Sequence, residues 1–279
     1  MEPLTLDQVA KAIQQVPSLS AVVMEILASF DRQDIEMADL ARKLGQDQGL
    51  TARVLRVANS PFYGMSSKVG TVQEAVVVLG LHSVRSLVAA AGIIGQFPQT
   101  EHQDFDRTGF WQHSIGTAAC AQTLAKRLGK DSALAFTAGL LHDIGKLALD
   151  AYFHEDYQRA LAYRLAEDAT LQEAELAVLG LDHTLVGHEL ASRWKFPVAI
   201  QLAIRDHHQP DCEPGAMTDL VHVANVLCHA LDIGNAGYDR VPPLSGSAWS
   251  RLGLDWDAMP ALWAETERQY AGLSLLIGE

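Results

Sequence analysis

One pattern runs from residue 6 to residue 231. Apolar residues recur at helical spacing, and each run is closed by a glycine, a proline or a capping side chain. After Ser20, Val23, Ile26, Leu27 and Phe30 share a face; after Asp47, Leu50, Val54, Val57 and Ala58 do the same. Thr71-x-x-Glu74 and Thr170-x-x-Glu173 are capping boxes, each ahead of an apolar run that ends at a glycine, Gly80 or Gly180. No period-2 alternation is long enough to make a sheet. The expected fold is therefore all-α, an irregular bundle of short helices with varied connections. Helices are expected at 6–16, 20–30, 37–44, from 47, at 75–79, 82–97, 108–128, 131–141, 150–168, 182–194, 197–208, 218–231 and 256–270.

Composition narrows the function classes. The 279 residues are 48% hydrophobic, enough for a sizeable core. The net charge of -13 opposes binding to nucleic acid, which needs Lys and Arg to displace phosphate counterions, and opposes adsorption to an anionic membrane. Cys120, Cys212 and Cys228 lie far apart and form no Cys-x-x-Cys, so neither a disulfide framework nor a zinc ribbon is expected. Met1-Glu2-Pro3 lacks a signal-peptide pattern, and the longest uncharged apolar run, 86–97, is too short to span a bilayer. A cytoplasmic protein is expected.

The chemistry gathers at Gly139-Leu-Leu-His142-Asp143-Ile-Gly145-Lys146. Adjacent helical residues point about 100° apart, so His142 and Asp143 suit a site where Asp143 bridges two ions and His142 serves one. Other histidines fall on other helices. His113 shares a face with Gly116, Thr117 and Cys120, small residues that leave room beside the imidazole. His183 opens a helix with Gly187 one turn on, again a gap. His207 and His208 end the helix that carries Ile200 and Ile204, where the helix dipole also favours histidine. Asn225 lies mid-helix among Val221, Ala224 and Leu227. Histidines with a carboxylate suit Fe, Mn, Ni or Zn better than Mg or Ca, in a mono- or binuclear site. Lys146 would contact a phosphate or pair with a carboxylate. His82, His102, His154, His188, His222 and His229 read as ordinary packing or solvated residues.

The order His113, His142-Asp143-x-x-Lys146, His183-x-x-x-Gly187, His207-His208 resembles the metal-ligand row of HD-superfamily phosphohydrolases, especially the HD-GYP branch. The first half is similar to the HDOD domain. The matching stretches are Val16-Pro17-Ser18-Leu19-Ser20, Gln46 to Thr51, Leu55 to Gly64 with its Asn-Ser-Pro-Phe-Tyr-Gly loop, and Thr71 to Gly80. The resemblance implies an HD-like helical fold in three parts: an HDOD-specific bundle at 1–98, an HD-like bundle with the His/Asp pocket at 99–234, and an extension at 235–279. It implies metal ligands at His113, His142, Asp143, His183, His207 and His208. Two departures count against catalysis. Gln209 to Gly215 contains no Gly-Tyr-Pro loop, and Asn225 stands where the HD pattern places an aspartate, a weaker ligand that removes a charge.

Two functions compete on these residues. One is a bacterial signalling module of HDOD type, non-catalytic, that binds a partner protein and retains metal in its pocket. The other is a metal-dependent phosphohydrolase acting on a nucleotide or cyclic nucleotide, with Asp143 and Lys146 in the catalytic machinery and a small phosphate compound as ligand. Neither reading involves nucleic acid or a membrane.

Overall fold

A computed structural model describes residues 3–28, 41–42, 44–45, 47–60, 68–94, 96, 105–233 and 240–276, with His82 described by its backbone alone. Most of the helix expected at 37–44, the Pro61 to Gly64 part of the turn, His102 and most of the linker before residue 105 lie outside the described residues.

Helices supply all the regular structure among the described residues. In chain order they are α1 (Leu6–Ile13), α2 (Ala21–Ala28), α3 (Gln48–Ala58), α4 (Val72–Leu79), α5 (Leu81–Ile94), α6 (Arg107–Arg127), α7 (Ser132–Leu141), α8 (Ile144–Tyr152), α9 (His154–Glu167), α10 (Leu171–Leu179), α11 (His183–Arg193), α12 (Val198–Asp206), α13 (Ala216–Ala230), α14 (Gly246–Leu252) and α15 (Met259–Leu273). Both expected capping boxes form: the Thr71 and Thr170 hydroxyls accept from the N–H groups of Glu74 and Glu173, and each glutamate reaches back to the cap. Asp131 and Asp182 cap α7 and α11 through their side chains. Three expectations change. The stretch 150–168 breaks at Phe153 into the end of α8 and all of α9. Helix α12 stops at Asp206, which leaves His207 and His208 in the following turn. Helix α14 was not expected, because its opening Gly246-Ser247 hides a single turn of apolar spacing behind Ser245, which caps it.

Helix α6 organises the packing. Its residues from Gly109 to Ala125, Gln112 apart, are buried on every side, as befits a helix at the centre of a bundle. One face joins a core that includes Val54, Val84 and Val88 from α3 and α5, Ile115 on α6, and Leu140, Ile144 and Leu147 around the His-Asp turn. The other face, with Cys120 and Leu124, packs into a second cluster with Leu220 and Val223 of α13 and Leu252, Met259 and Leu262 of the C-terminal helices. Among the described residues no helix is long and apolar enough to cross a membrane.

Candidate metal centre

The His142-Asp143 step is a hinge between helices. His142 caps the end of α7 at φ -52°, and Asp143 opens α8 at φ -103° with no side-chain cap of its own. The carboxylate is therefore free to turn inward, and it is 2% exposed. Lys146 Nζ donates to Asp143 Oδ2 at 2.7 Å, and His142 Nε2 lies 3.3 Å from the same oxygen. Of the two roles open to Lys146, the structure shows the ion pair. Asp143 Oδ1 faces the other way, 3.2 Å from His183 Nε2 and 3.6 Å from His207 Nε2.

Close backbone approach brings α11 to this hinge. A Cβ at Gly145 would stand 1.9 Å from the His183 carbonyl oxygen and 2.7 Å from the Gly187 nitrogen. The gap expected at Gly187 is thus filled by α8 itself, with Ile204 beside it, and is not space for a ligand. The room expected beside His113 is also taken: a Cβ on Gly116 would meet Ile233 Cγ2 and its carbonyl oxygen at 3.0 Å.

Three imidazoles are oriented from behind. His142 Nδ1 donates to the Gly139 carbonyl at 2.7 Å, His207 Nδ1 to the Ile204 carbonyl at 2.9 Å, and His183 Nδ1 to Glu175 Oε2 at 2.6 Å. For His142 and His207 the bond fixes the tautomer and leaves Nε2 with a lone pair toward the centre, and for His183 it fixes the ring's orientation. Glu175 is fully buried and also accepts from the His183 backbone N–H at 2.8 Å. His208 Nε2 completes the group, 3.2 Å from His183 Nε2. Asp143, His183, His207 and His208 offer ligand atoms all within 4.8 Å of one another, as do His113, His142 and Asp143. His142 Nε2, His207 Nε2 and Asp143 Oδ1 are buried without a hydrogen-bond partner. Buried polar atoms that converge unpaired are what a bound cation satisfies, so the residues present fit a transition-metal ion.

The two groups are not equivalent. His113 Nε2 is 2.9 Å from Asn225 Oδ1, while His113 Nδ1 is buried without a hydrogen-bond partner. The His113, His142 and Asp143 group thereby has one of its two imidazoles bonded to an amide, while Asp143, His183, His207 and His208 face one another. Burial, then the neighbouring imidazoles, hold His113, His207 and His208 well below the usual histidine range, so all three are neutral. Burial opposes charge on His183 too, but Glu175 and Asp143 outweigh it and push its pKa up to about 10. Burial would raise Asp143, yet His142, Lys146 and the adjacent His183 hold it well below the carboxylate range.

Three residues read as ordinary in the sequence contribute here, or were not singled out at all. Glu175 orients His183. His222 Nδ1 donates to the His207 carbonyl at 2.7 Å, and its Nε2 accepts the Ser245 backbone N–H at 2.9 Å. The His229 ring lies 4.4 Å from that of His113. His229 sits one turn beyond Asn225, the signal that could have found it. A cavity of about 210 Å³ opens over Asp143, Lys146, His183 and His208 and is walled by Arg240, Pro242 and Pro243.

A strandless bundle that gathers histidines and one aspartate from successive helix ends into a buried cluster is an HD-like helical domain. The family is narrower: residues 16–210 match the HDOD domain, and the chain belongs to the HDOD domain family. A crystal structure from Shewanella amazonensis, provisionally described as a phosphohydrolase, is 28% identical with a TM-score of 0.79, covering 97% of this chain and 98% of that one. An HDOD domain protein of unknown function from Geobacter sulfurreducens is 25% identical with a TM-score of 0.76, covering 98% of this chain and 93% of that one. A ribonuclease Y from Aquifex aeolicus is 30% identical over 211 residues, 73% of this chain and 31% of that enzyme. The chain spans less than half the length of the curated relatives it matches first.

Proposed function

We propose that this chain is an HDOD-type signalling module that holds one transition-metal ion at Asp143, His183, His207 and His208 and acts by binding a partner protein. The observation that carries the reading is the pairing of His113 with Asn225. Two-ion phosphoester chemistry needs a second complete set of ligands, and here an amide that supplies no charge engages Nε2 of the histidine. The chain's own residues build a rigid, charge-balanced pocket. Lys146 holds one oxygen of Asp143, and Glu175, Ile204 and Gly139 fix the imidazoles. When bound, a metal ion would supply Lewis acidity and a strong cross-link between α8, α11 and the turn after α12.

The phosphohydrolase reading is favoured by one specific observation, the cavity over Asp143 and Lys146 with Arg240 at its wall. A single experiment separates the two. Protein purified without added metal or a histidine tag is analysed for elements, beside His207→Ala, and is then given p-nitrophenyl phosphate, its bis-ester and cyclic dinucleotides. The proposal expects near-stoichiometric Fe, Mn, Ni or Zn in the wild type, loss of it in the variant, and no turnover. Metal-dependent turnover abolished by Asp143→Ala would overturn it in favour of the hydrolase, and absence of metal from a folded wild type would overturn the metal site.

A further inference from the structure

A second cavity, remote from the His/Asp cluster, lies where α4 and α5, α6 and α7, and the C-terminal helix α15 meet. Its volume is about 350 Å³, within the range of small-molecule sites. Leu79, Leu87, Phe136 and Leu273 supply an apolar lining, and all four are buried. Against it stand two amides from different helices. Gln122 on α6 is 9% exposed, and its side-chain amide makes no hydrogen bond to the described residues. Gln269 on α15 is 4% exposed, and its Oε1 is buried without a donor.

The direction of Gln269 is determined by its neighbour. Its Nε2 donates to Glu265 Oε1 at 3.0 Å, so the amide cannot be turned round without setting its oxygen against a carboxylate. Glu265 Oε2 is taken by Arg268. Both oxygens of the only acid lining the cavity are therefore committed. Lys126 also lines the cavity, is exposed, and has no carboxylate within ion-pair distance among the described residues. A buried amide oxygen without a donor, a second amide beside it, an apolar lining and an uncommitted cation are the complement of one kind of molecule. We propose that this cavity binds a small organic anion with an aromatic body and an N–H donor, the donor reaching Gln269 Oε1 and the anionic group reaching Lys126.

The proposal does not rest on metal at the other site. It is tested on the full chain by ligand-observed NMR with indole-3-acetate, indole-2-carboxylate and anthranilate, on the wild type, Lys126→Glu and Ser83→Trp. Ser83 lines the same cavity and is half-buried, so the indole of the variant fills the space. At least one probe should bind saturably, and affinity should fall about tenfold or more in each variant. If Ser83→Trp misfolds, the exposed Lys126→Glu decides alone. Binding by no probe, or binding of equal strength in Lys126→Glu, overturns the proposal.

Discussion

Asp143 and His183 show how much a single side chain can organise. The carboxylate takes Lys146 on one oxygen and turns the other toward two imidazole nitrogens. His183 is held between two acids, Asp143 and Glu175, and carries a proton when no cation replaces it. Glu175 is thus the group that sets both the orientation and the basicity of His183. Glu175→Gln keeps the size but removes the charge and half of the acceptor capacity. Metal affinity should fall about 10- to 100-fold, measured by competition against a chromophoric chelator; unchanged affinity would reduce Glu175 to a packing residue. That the histidines and Asp143 stand as one row was legible in the sequence by residue type, and the fold brings them into one buried cluster. Glu175 was not legible. It lies on the buried side of an amphipathic helix full of glutamates, and only the fold shows that its carboxylate faces an imidazole and not water.

Elements position these residues through contacts that periodicity cannot display. Helical spacing and capping side chains revealed α4, α6, α7, α10, α11 and α13 closely, since Thr71, Asp131, Thr170 and Asp182 act locally, but not the break between α8 and α9. Which helices touch was hidden. The glycine at 187 looked like space left for a ligand, yet it is where α11 meets Gly145 of α8 backbone against backbone. Gly145→Ala would drive a methyl group into the His183 carbonyl, an obstacle that no rotamer relieves. Helix α11 would have to move, at a cost of about 1–3 kcal/mol, and His183 would leave Asp143. Thermal melts should show a drop of several degrees in the apo-protein together with weakened metal binding. A normal melting temperature and normal affinity would mean that the helices can slide apart without cost. Helix α14 escaped the sequence for a related reason. Ser245 and Arg251 act on the turn after α12, Ser245 through the backbone bond to His222 and Arg251 through Asp211 and Asp219. These bonds link positions more than twenty residues apart, which no local pattern records.

On the scale of the whole molecule, the buried histidines couple folding to pH with opposite signs. His113, His207 and His208 are held neutral in the folded protein, whereas the unfolded chain takes up protons on them below about pH 6.5. Stability from these groups is complete above that pH and is lost as pH falls, because the unfolded state then binds more protons. His183 works the other way. Its folded pKa of about 10 makes its contribution complete below pH 6.5 and lost as pH rises toward 10. Asp143 adds a further loss on the acid side, below about pH 4, where the unfolded carboxylate becomes protonated. Three imidazoles thus act on the acid side near pH 6 against one on the alkaline side. The burial that lowers them is shared across the molecule, since α6, the turn after α12 and the start of α11 meet only when the core is assembled. Urea unfolding of chelator-treated protein between pH 4.5 and 9 should therefore give a stability maximum near neutrality with the steeper limb on the acid side. His113→Gln should flatten that limb, since it removes one of the three groups and keeps an amide to face Asn225. An alkaline limb as steep as the acid one would show that these imidazoles are charged in the folded state, and that the cluster is held by attraction to its carboxylates and not as a neutral ligand set.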